Sequence, residues 1–166
     1  LDQLEFEPFQ QRFPWLGGDL QTLRDTFVRD SLISESGEIV NIEIPSMPGN
    51  SNTSGCLMAL LNKPKNHSKL RGLVLMLHGL GGSSRRRGLR RMTNTLLNAG
   101  FATLRLNLRG ADPGRKFAAG TYSAKCNSDI FPALAKAHDI CRNLKNNSDL
   151  NNHHMPLFGV GISLGG

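Results

Sequence analysis

Near the end of the chain, Gly161-Ile162-Ser163-Leu164-Gly165 sets a serine midway between two glycines. G-x-S-x-G is the spacing of a strand-to-helix turn that forces its serine into a strained backbone conformation and leaves the hydroxyl exposed as a nucleophile. Gly161 and Gly165 supply room for so tight a turn, and a helix opening at Ser163 would aim its first N–H groups at the reacting oxygen. A second glycine-rich turn is His78-Gly79-Leu80-Gly81-Gly82. In acyl transfer a tetrahedral oxyanion needs preorganised donors, and glycines let backbone N–H groups face it unobstructed. Leu80 and Leu164, the residue after the serine, are the expected oxyanion donors. His78, Gly79, Gly81, Gly161 and Gly165 are expected to shape the site, His78 by ordering its loop through hydrogen bonds. Alone, His78–Gly82 reads equally well as a tight turn; its pairing with the serine motif favours the chemical reading.

Both turns follow apolar runs. Leu73–Leu77 is continuously apolar, the mark of a parallel strand covered on both faces, and Leu157–Ile162 is a further short apolar strand. Between them, Leu89, Met92, Leu96 and Leu97 predict a helix over Arg85–Ala99, stopped by Gly100. Phe101–Leu108 reads as another parallel strand. A helix over Ala124–Leu144 follows, with Ile130, Leu134, Ala137, His138 and Cys141 on its inner side and Pro132 shifting its start. Strand, helix, strand, helix, strand predicts a doubly wound α/β fold with right-handed crossovers. Upstream, alternation on either side of Ser36-Gly37 predicts an antiparallel hairpin over Thr26–Ile44. A polar loop over Pro45–Ser54 and a strand over Gly55–Asn62 come next. Residues 1–25 read as an N-terminal arm that turns at Gly17 and Gly18 and packs Trp15 on the domain; residues 26–166 read as one α/β domain.

The 166 residues carry a net charge of +7, with 39% hydrophobic and 20% charged residues, an ordinary globular composition. No apolar run reaches the roughly 18 residues of a membrane helix, and "LDQLEFEPF" is unlike a signal peptide, so no integral membrane segment and a cytoplasmic setting are expected. Cys56, Cys126 and Cys141 are odd in number and lack CxxC spacing, which predicts reduced, packed thiols in place of a disulfide framework or zinc site. No metal-ligand spacing or nucleotide fingerprint occurs, so neither metal nor cofactor is expected.

"FPWLGGDLQTL" (Phe13–Leu23), "LHGLGGSSRRRGLRRM", "NLRGADPG" and "GISLGG" together resemble the α/β-hydrolase superfamily and, within it, the YheT-like group of predicted hydrolases. The resemblance runs from about Phe13 to Gly166, and the WxGGDLQT stretch is its most specific part. It implies serine-dependent hydrolysis of carboxylic esters, small or lipid-like, on an eight-stranded, mostly parallel sheet, with Ser163 as nucleophile. Trp15, Gly17, Gly18 and Asp19 are read as structural. Arg109-Gly110 either borders the pocket or makes a turn.

In α/β-hydrolases the acid and the histidine follow the serine in the chain. Here the sequence ends at Gly166; Asp129, Asp139, His138, His153 and His154 all precede the last strand and are not expected to reach Ser163. The 166 residues are therefore expected to be the N-terminal portion of a hydrolase, truncated after the nucleophile turn and inactive alone. Arg85, Arg86, Arg87, Arg90 and Arg91 crowd the start of a predicted helix, where cations oppose the dipole. They read as a solvated face or as a rim attracting an anionic group. The rival class is a non-enzymatic anion-binding protein, with nucleic acid or an anionic membrane as partner, or an inactive gene remnant. No base-stacking platform or recognition motif accompanies the charge, so nucleic acid is not expected.

Overall fold

Leu73 to Leu77 alternate between two apolar environments, and the rest of the fold is arranged around that fact. The computed structural model describes residues 8, 10–27, 37–46, 52, 54–65, 70–146 and 155–166. The elements are α1 (Gly18–Phe27), β1 (Glu38–Ile44), β2 (Gly55–Asn62), β3 (Gly72–Leu77), α2 (Arg87–Asn98), β4 (Phe101–Leu106), α3 (Ile130–Asn146) and β5 (Leu157–Gly161). The chain divides into two units, Leu1–Ser31 and Leu32–Gly166.

In the larger unit the strands form one mixed sheet in the order β1-β2-β4-β3-β5. The core is parallel, β4 and β5 flanking β3, and β2 and β1 add antiparallel pairs at one edge. Leu73 and Leu75 join Ala102, Leu104 and Leu106 under Ala133, Ala137 and Ile140 of α3. Val74 and Met76 face the other way, against Leu89, Met92 and Leu96 of α2. The two crossover helices thus cover opposite faces, which is why β3 has no polar position. Burying one leucine completely stabilises by about 2 kcal/mol, so this two-sided burial dominates the unit. Register aligns the strand ends: Leu77 stands beside Leu106 on one side and Gly161 on the other. His78, Asn107 and Ile162 therefore emerge along one edge of the sheet, where open α/β sheets bind ligands.

An antiparallel hairpin is present at one edge of the sheet, between β1 and β2; the first strand expected within Thr26–Ile44 falls largely outside the described residues. Thr26 and Phe27 close α1, residues 28–36 lie outside the described residues, and the antiparallel partner of β1 is β2. Val40 and Ile42 stand opposite Ala59 and Leu57, all buried in one core, so pairing across the longer loop completes an apolar face. β4 stops at Leu106, short of the expected Leu108, because Asn107 donates its N–H to the Met58 carbonyl and Leu108 donates to His78. The expected helix over Ala124–Leu144 is a 3₁₀ segment, Ala124–Asp129, followed by α3. Pro132 falls in the first turn of α3, where its missing N–H leaves no bond unmade. The buried face of α3 is Ala133, Ala137, Ile140, Cys141 and Leu144, with Ile130 packed partly buried against the core; of the expected stripe, Leu134 and His138 are corrected, being exposed. Cys126 and Cys141 are buried free thiols, and burial pushes the Cys141 pKa up.

In the smaller unit α1 begins within the Gly17-Gly18 turn. Trp15 stacks on Phe27 with ring centroids 6.0 Å apart, and the Gln21 side-chain amide donates to the Trp15 carbonyl.

Candidate active site

The backbone reverses immediately after β5. Ile162 is still extended (φ −117°, ψ 121°), whereas Ser163 has φ +54° and opens a 3₁₀ turn, Ser163–Gly165. Among the described residues Ser163 is the only non-glycine at positive φ, a conformation that costs about 1–3 kcal/mol and persists only where surroundings enforce it. Three main-chain bonds do so here: Gly165 N–H to Ile162 O (3.0 Å), Gly166 N–H to Ser163 O (2.9 Å) and Ile162 N–H to Leu77 O (3.2 Å). The flanking glycines are required by contact. A Cβ at Gly161 would overlap the Gly165 carbonyl, and one at Gly165 would lie 2.6 Å from the His78 oxygen. Ser163 is exposed. The helix expected to open at this serine is, within the 166 residues, the three-residue 3₁₀ turn that also contains Leu164.

The second turn meets the first. Gly82 N–H donates to Gly79 O (3.0 Å), closing a turn over Leu80 and Gly81, with Gly81 at φ +62°. A Cβ at Gly79 would lie 2.9 Å from Ile162 O and 3.2 Å from Ser163 Cβ, so main chain packs on main chain between the two turns. Leu80 is 84% exposed, and among the described residues nothing accepts its N–H. His78 is buried and occupied at both ring nitrogens. Leu108 N–H donates to Nε2 (3.1 Å), which makes Nε2 the acceptor, so Nδ1 carries the proton and donates to Gly79 O (2.8 Å). Burial holds its pKa below the ordinary histidine value, opposed by the Gly79 bond and reinforced by the nearby Arg86 charge. His78 is a neutral strap between the ends of β3 and β4, without a nitrogen free to take a proton from Ser163.

Of a polar line behind the turn, only Arg109 was singled out from the sequence. Thr103, Arg105, Asn107 and Arg109 alternate along "FATLRLNLRG" and look like a solvent face, yet all are buried, because both faces of β4 are covered. Arg105 donates to Ser84 O (2.8 Å) and Asn62 Oδ1 (2.8 Å). Asn107 accepts from Ser84 N–H (2.8 Å) and donates to Met58 O (3.0 Å). Together they clamp the chain that leaves the His78–Gly82 turn. Arg109 and Asp129 form a buried bidentate pair, Nε to Oδ2 and Nη2 to Oδ1, each 2.9 Å, with side chains 0% and 2% exposed. Its hydrogen bonding to the Asp129 carboxylate raises the Arg109 pKa above its ordinary value. Arg109 also donates to Ala119 O and Pro45 O, tying down the loop after β4, so the turn and pocket readings of Arg109-Gly110 both hold geometrically. The signal for this network was period-two polarity inside a strand whose neighbours are all core.

Two clefts flank the His78–Gly82 turn and share Gly79, Leu80 and Arg86. One, about 380 Å³, contains Ser163, Ile162 and Leu89; the other, about 490 Å³, is lined by Arg109–Asp112, Arg115 and Tyr122 among others. His138 and Asp139 lie on the exposed side of α3 with Arg142, Asp129 is committed to Arg109, and His153 and His154 lie outside the described residues. Among the described residues no cluster of His, Cys, Asp and Glu could hold a metal, and no helix is long and apolar enough to cross a membrane. α2 has no acidic residue in its first turn, and its N-cap, Arg86, donates to Gly81 O (2.7 Å).

No family model and no curated protein sequence matches the chain. Solved structures do. Est1E from Butyrivibrio proteoclasticus, with ferulic acid bound, is similar at 22% identity and TM-score 0.51, covering 76% of this chain and 43% of that one. XC6422 from Xanthomonas campestris, described as an α/β serine hydrolase without lid, is similar at 15% identity and TM-score 0.53, over 82% of this chain and 55% of that one. A soluble variant of monoglyceride lipase from Saccharomyces cerevisiae gives 22% and 0.50, over 74% and 37%. The chain thus spans between 37% and 55% of the length of these structures. At these identities the likeness establishes the fold: a mixed sheet of the α/β-hydrolase type, with a parallel core and an antiparallel edge.

Proposed function

We propose that this chain is the nucleophile-bearing portion of a serine-dependent hydrolase of carboxylic esters, small or lipid-like, of the YheT-like group that its motifs resemble. One observation carries the reading: a serine at φ +54° ends a parallel strand and packs on a glycine turn whose exposed Leu80 amide has no acceptor among the described residues. In the proposed reaction Ser163 Oγ attacks the ester carbonyl carbon, and the charge that develops on the carbonyl oxygen is taken up by the N–H groups of Leu80 and Leu164. The serine proton must pass to a base, since a hydroxyl at its ordinary pKa is a poor nucleophile. Among the described residues none offers one. On this reading the base and its orienting acid come from chain beyond Gly166, and the 166 residues alone do not turn over.

The test compares the 166-residue chain with its reading frame extended to the natural stop, both assayed on p-nitrophenyl acetate and butyrate. The expected outcome is background hydrolysis by the first and hydrolysis lost on Ser163→Ala by the second. Turnover by the 166 residues that depends on Ser163 refutes the half-site; activity of the extended chain that survives Ser163→Ala refutes the nucleophile.

A further inference from the structure

The larger cleft next to the proposed nucleophile is bordered by an uneven set of charges. Arg86, Arg109, Arg115 and Asp112 line its wall. Arg109 contributes little field, because its guanidinium is neutralised at 2.9 Å by Asp129 through two hydrogen bonds. Arg86 and Arg115 differ. The structure gives the Arg86 side chain one bond, from Nη2 to the Gly81 carbonyl, and among the described residues neither arginine has a carboxylate within salt-bridge distance. Asp112 alone opposes two cations. The single bond of Arg86 also fixes where its charge sits: a guanidinium has five donors in a planar fork, and holding one on the Gly81 carbonyl leaves the others directed away from the turn. Arg86 borders both clefts, so its charge reaches the Ser163 side as well. Its effect on the neighbouring ring of His78, whose protonation it disfavours, agrees with a guanidinium directed at the site.

We infer that Arg86 and Arg115 form a subsite for an anionic group, carboxylate or phosphate, carried by the substrate on the far side of the His78–Gly82 turn from Ser163. Bidentate arginine recognition suits both groups, since each presents two oxygens to the fork. As a statement about substrate, the inference rests on the hydrolase reading; as a statement about binding, it stands apart from it. It also separates Arg86 from the other four arginines of the basic run: Arg85, Arg87, Arg90 and Arg91 line neither cleft.

The probe is phenyl phosphate, with phenol as the neutral control, titrated into the ¹⁵N-labelled 166-residue chain and followed by backbone amide shifts. Expected are saturable shifts at residues 79–82 and 110–115, weakened by added salt and absent with phenol. Arg86→Gln and Arg115→Gln should each weaken binding several-fold and the double variant at least tenfold, whereas Arg86→Lys retains part and Arg90→Gln stays within twofold. Far-UV spectra of every variant establish that the fold is kept. Equal binding by the folded double variant overturns the inference, as do shifts confined to the exposed face of α2. Binding as expected with an unreactive Ser163 in the extended chain defeats the hydrolase reading alone. Ser163-dependent hydrolysis of neutral esters with no phenyl phosphate binding defeats the subsite alone.

Discussion

Removing the Asp129 carboxylate should be among the most damaging single changes in the larger unit, although Asp129 lies outside both clefts. Its two oxygens accept from Nε and Nη2 of Arg109 at 2.9 Å, and neither side chain is more than 2% exposed. In Asp129→Ala the guanidinium stays buried without the Asp129 carboxylate, while its bonds to the Ala119 and Pro45 carbonyls remain. Hydrogen bonds to charged groups contribute about 1.5–3 kcal/mol each, and stranding one member of a buried ion pair costs about 3–5 kcal/mol. Since a domain is stable by about 5–15 kcal/mol in all, the variant should lose between a fifth and nearly all of it. Urea denaturation followed by far-UV circular dichroism reads the loss as a fall in midpoint at constant slope. The double variant Arg109→Met, Asp129→Leu removes both charges and should recover more than half of that loss, because apolar replacement of a buried pair is often neutral. A single-variant loss below about 1 kcal/mol would mean that the pair is solvated, contrary to the burial described above. A double variant as unstable as the single would mean that packing, and not the uncompensated charge, set the cost.

Three further outcomes follow from the site. Ser163→Gly relieves positive-φ strain of about 1–3 kcal/mol against a more flexible unfolded chain costing about 0.4–1 kcal/mol, so a net gain of roughly 1 kcal/mol should appear in the same urea assay. His78 is held neutral in the fold, with its pKa below the ordinary value of about 6.5, so its contribution is complete above that pH and is lost as pH falls below it. Its ring should titrate below 6.5 by NMR, and the stability of His78→Gln should fall less between pH 6.5 and 5 than that of the native chain; equal slopes refute this. Gly161→Ala should destabilise by about 1–3 kcal/mol as the elbow opens, whereas Gly88→Ala, in α2 with nothing within 4 Å, should gain up to about 1 kcal/mol.

The parallel core was legible because its strands are apolar on both faces and each ends in glycine or a polar turn. Leu73–Leu77 and Leu157–Ile162 could hardly be read otherwise, and the two turns that follow them meet in the structure as their spacing led one to expect. Alternation marked β1 itself, but its pairing with β2 was not legible from local alternation. Pairing is decided by which face Val40 and Ile42 complete, and that face belongs to β2 and to α3, distant in sequence. On α3 Ala137 and Cys141 were placed on the inner side correctly, but Leu134 and His138 were not, because Ala133 and Ile140 fill the inner positions beside them. The buried bonding of Arg105 and Asn107 was not legible for a different reason: charge and alternation signal solvent only when one face of a strand is open, and β4 has none.

The contact between the turn and the elbow is made by main chain and Cβ atoms, through Gly79 against Ile162 O and Ser163 Cβ and through Gly165 against His78 O and Leu77 Cβ. A joint of that kind has no rotatable bonds of its own and no neighbour that could shrink to accommodate a larger partner. Compensating pairs, the usual route by which a packed contact drifts during laboratory evolution, are closed to it. Diversity intended to retune the cleft can enter at Leu80 or Arg86, which are exposed, while the glycines beside them stay fixed.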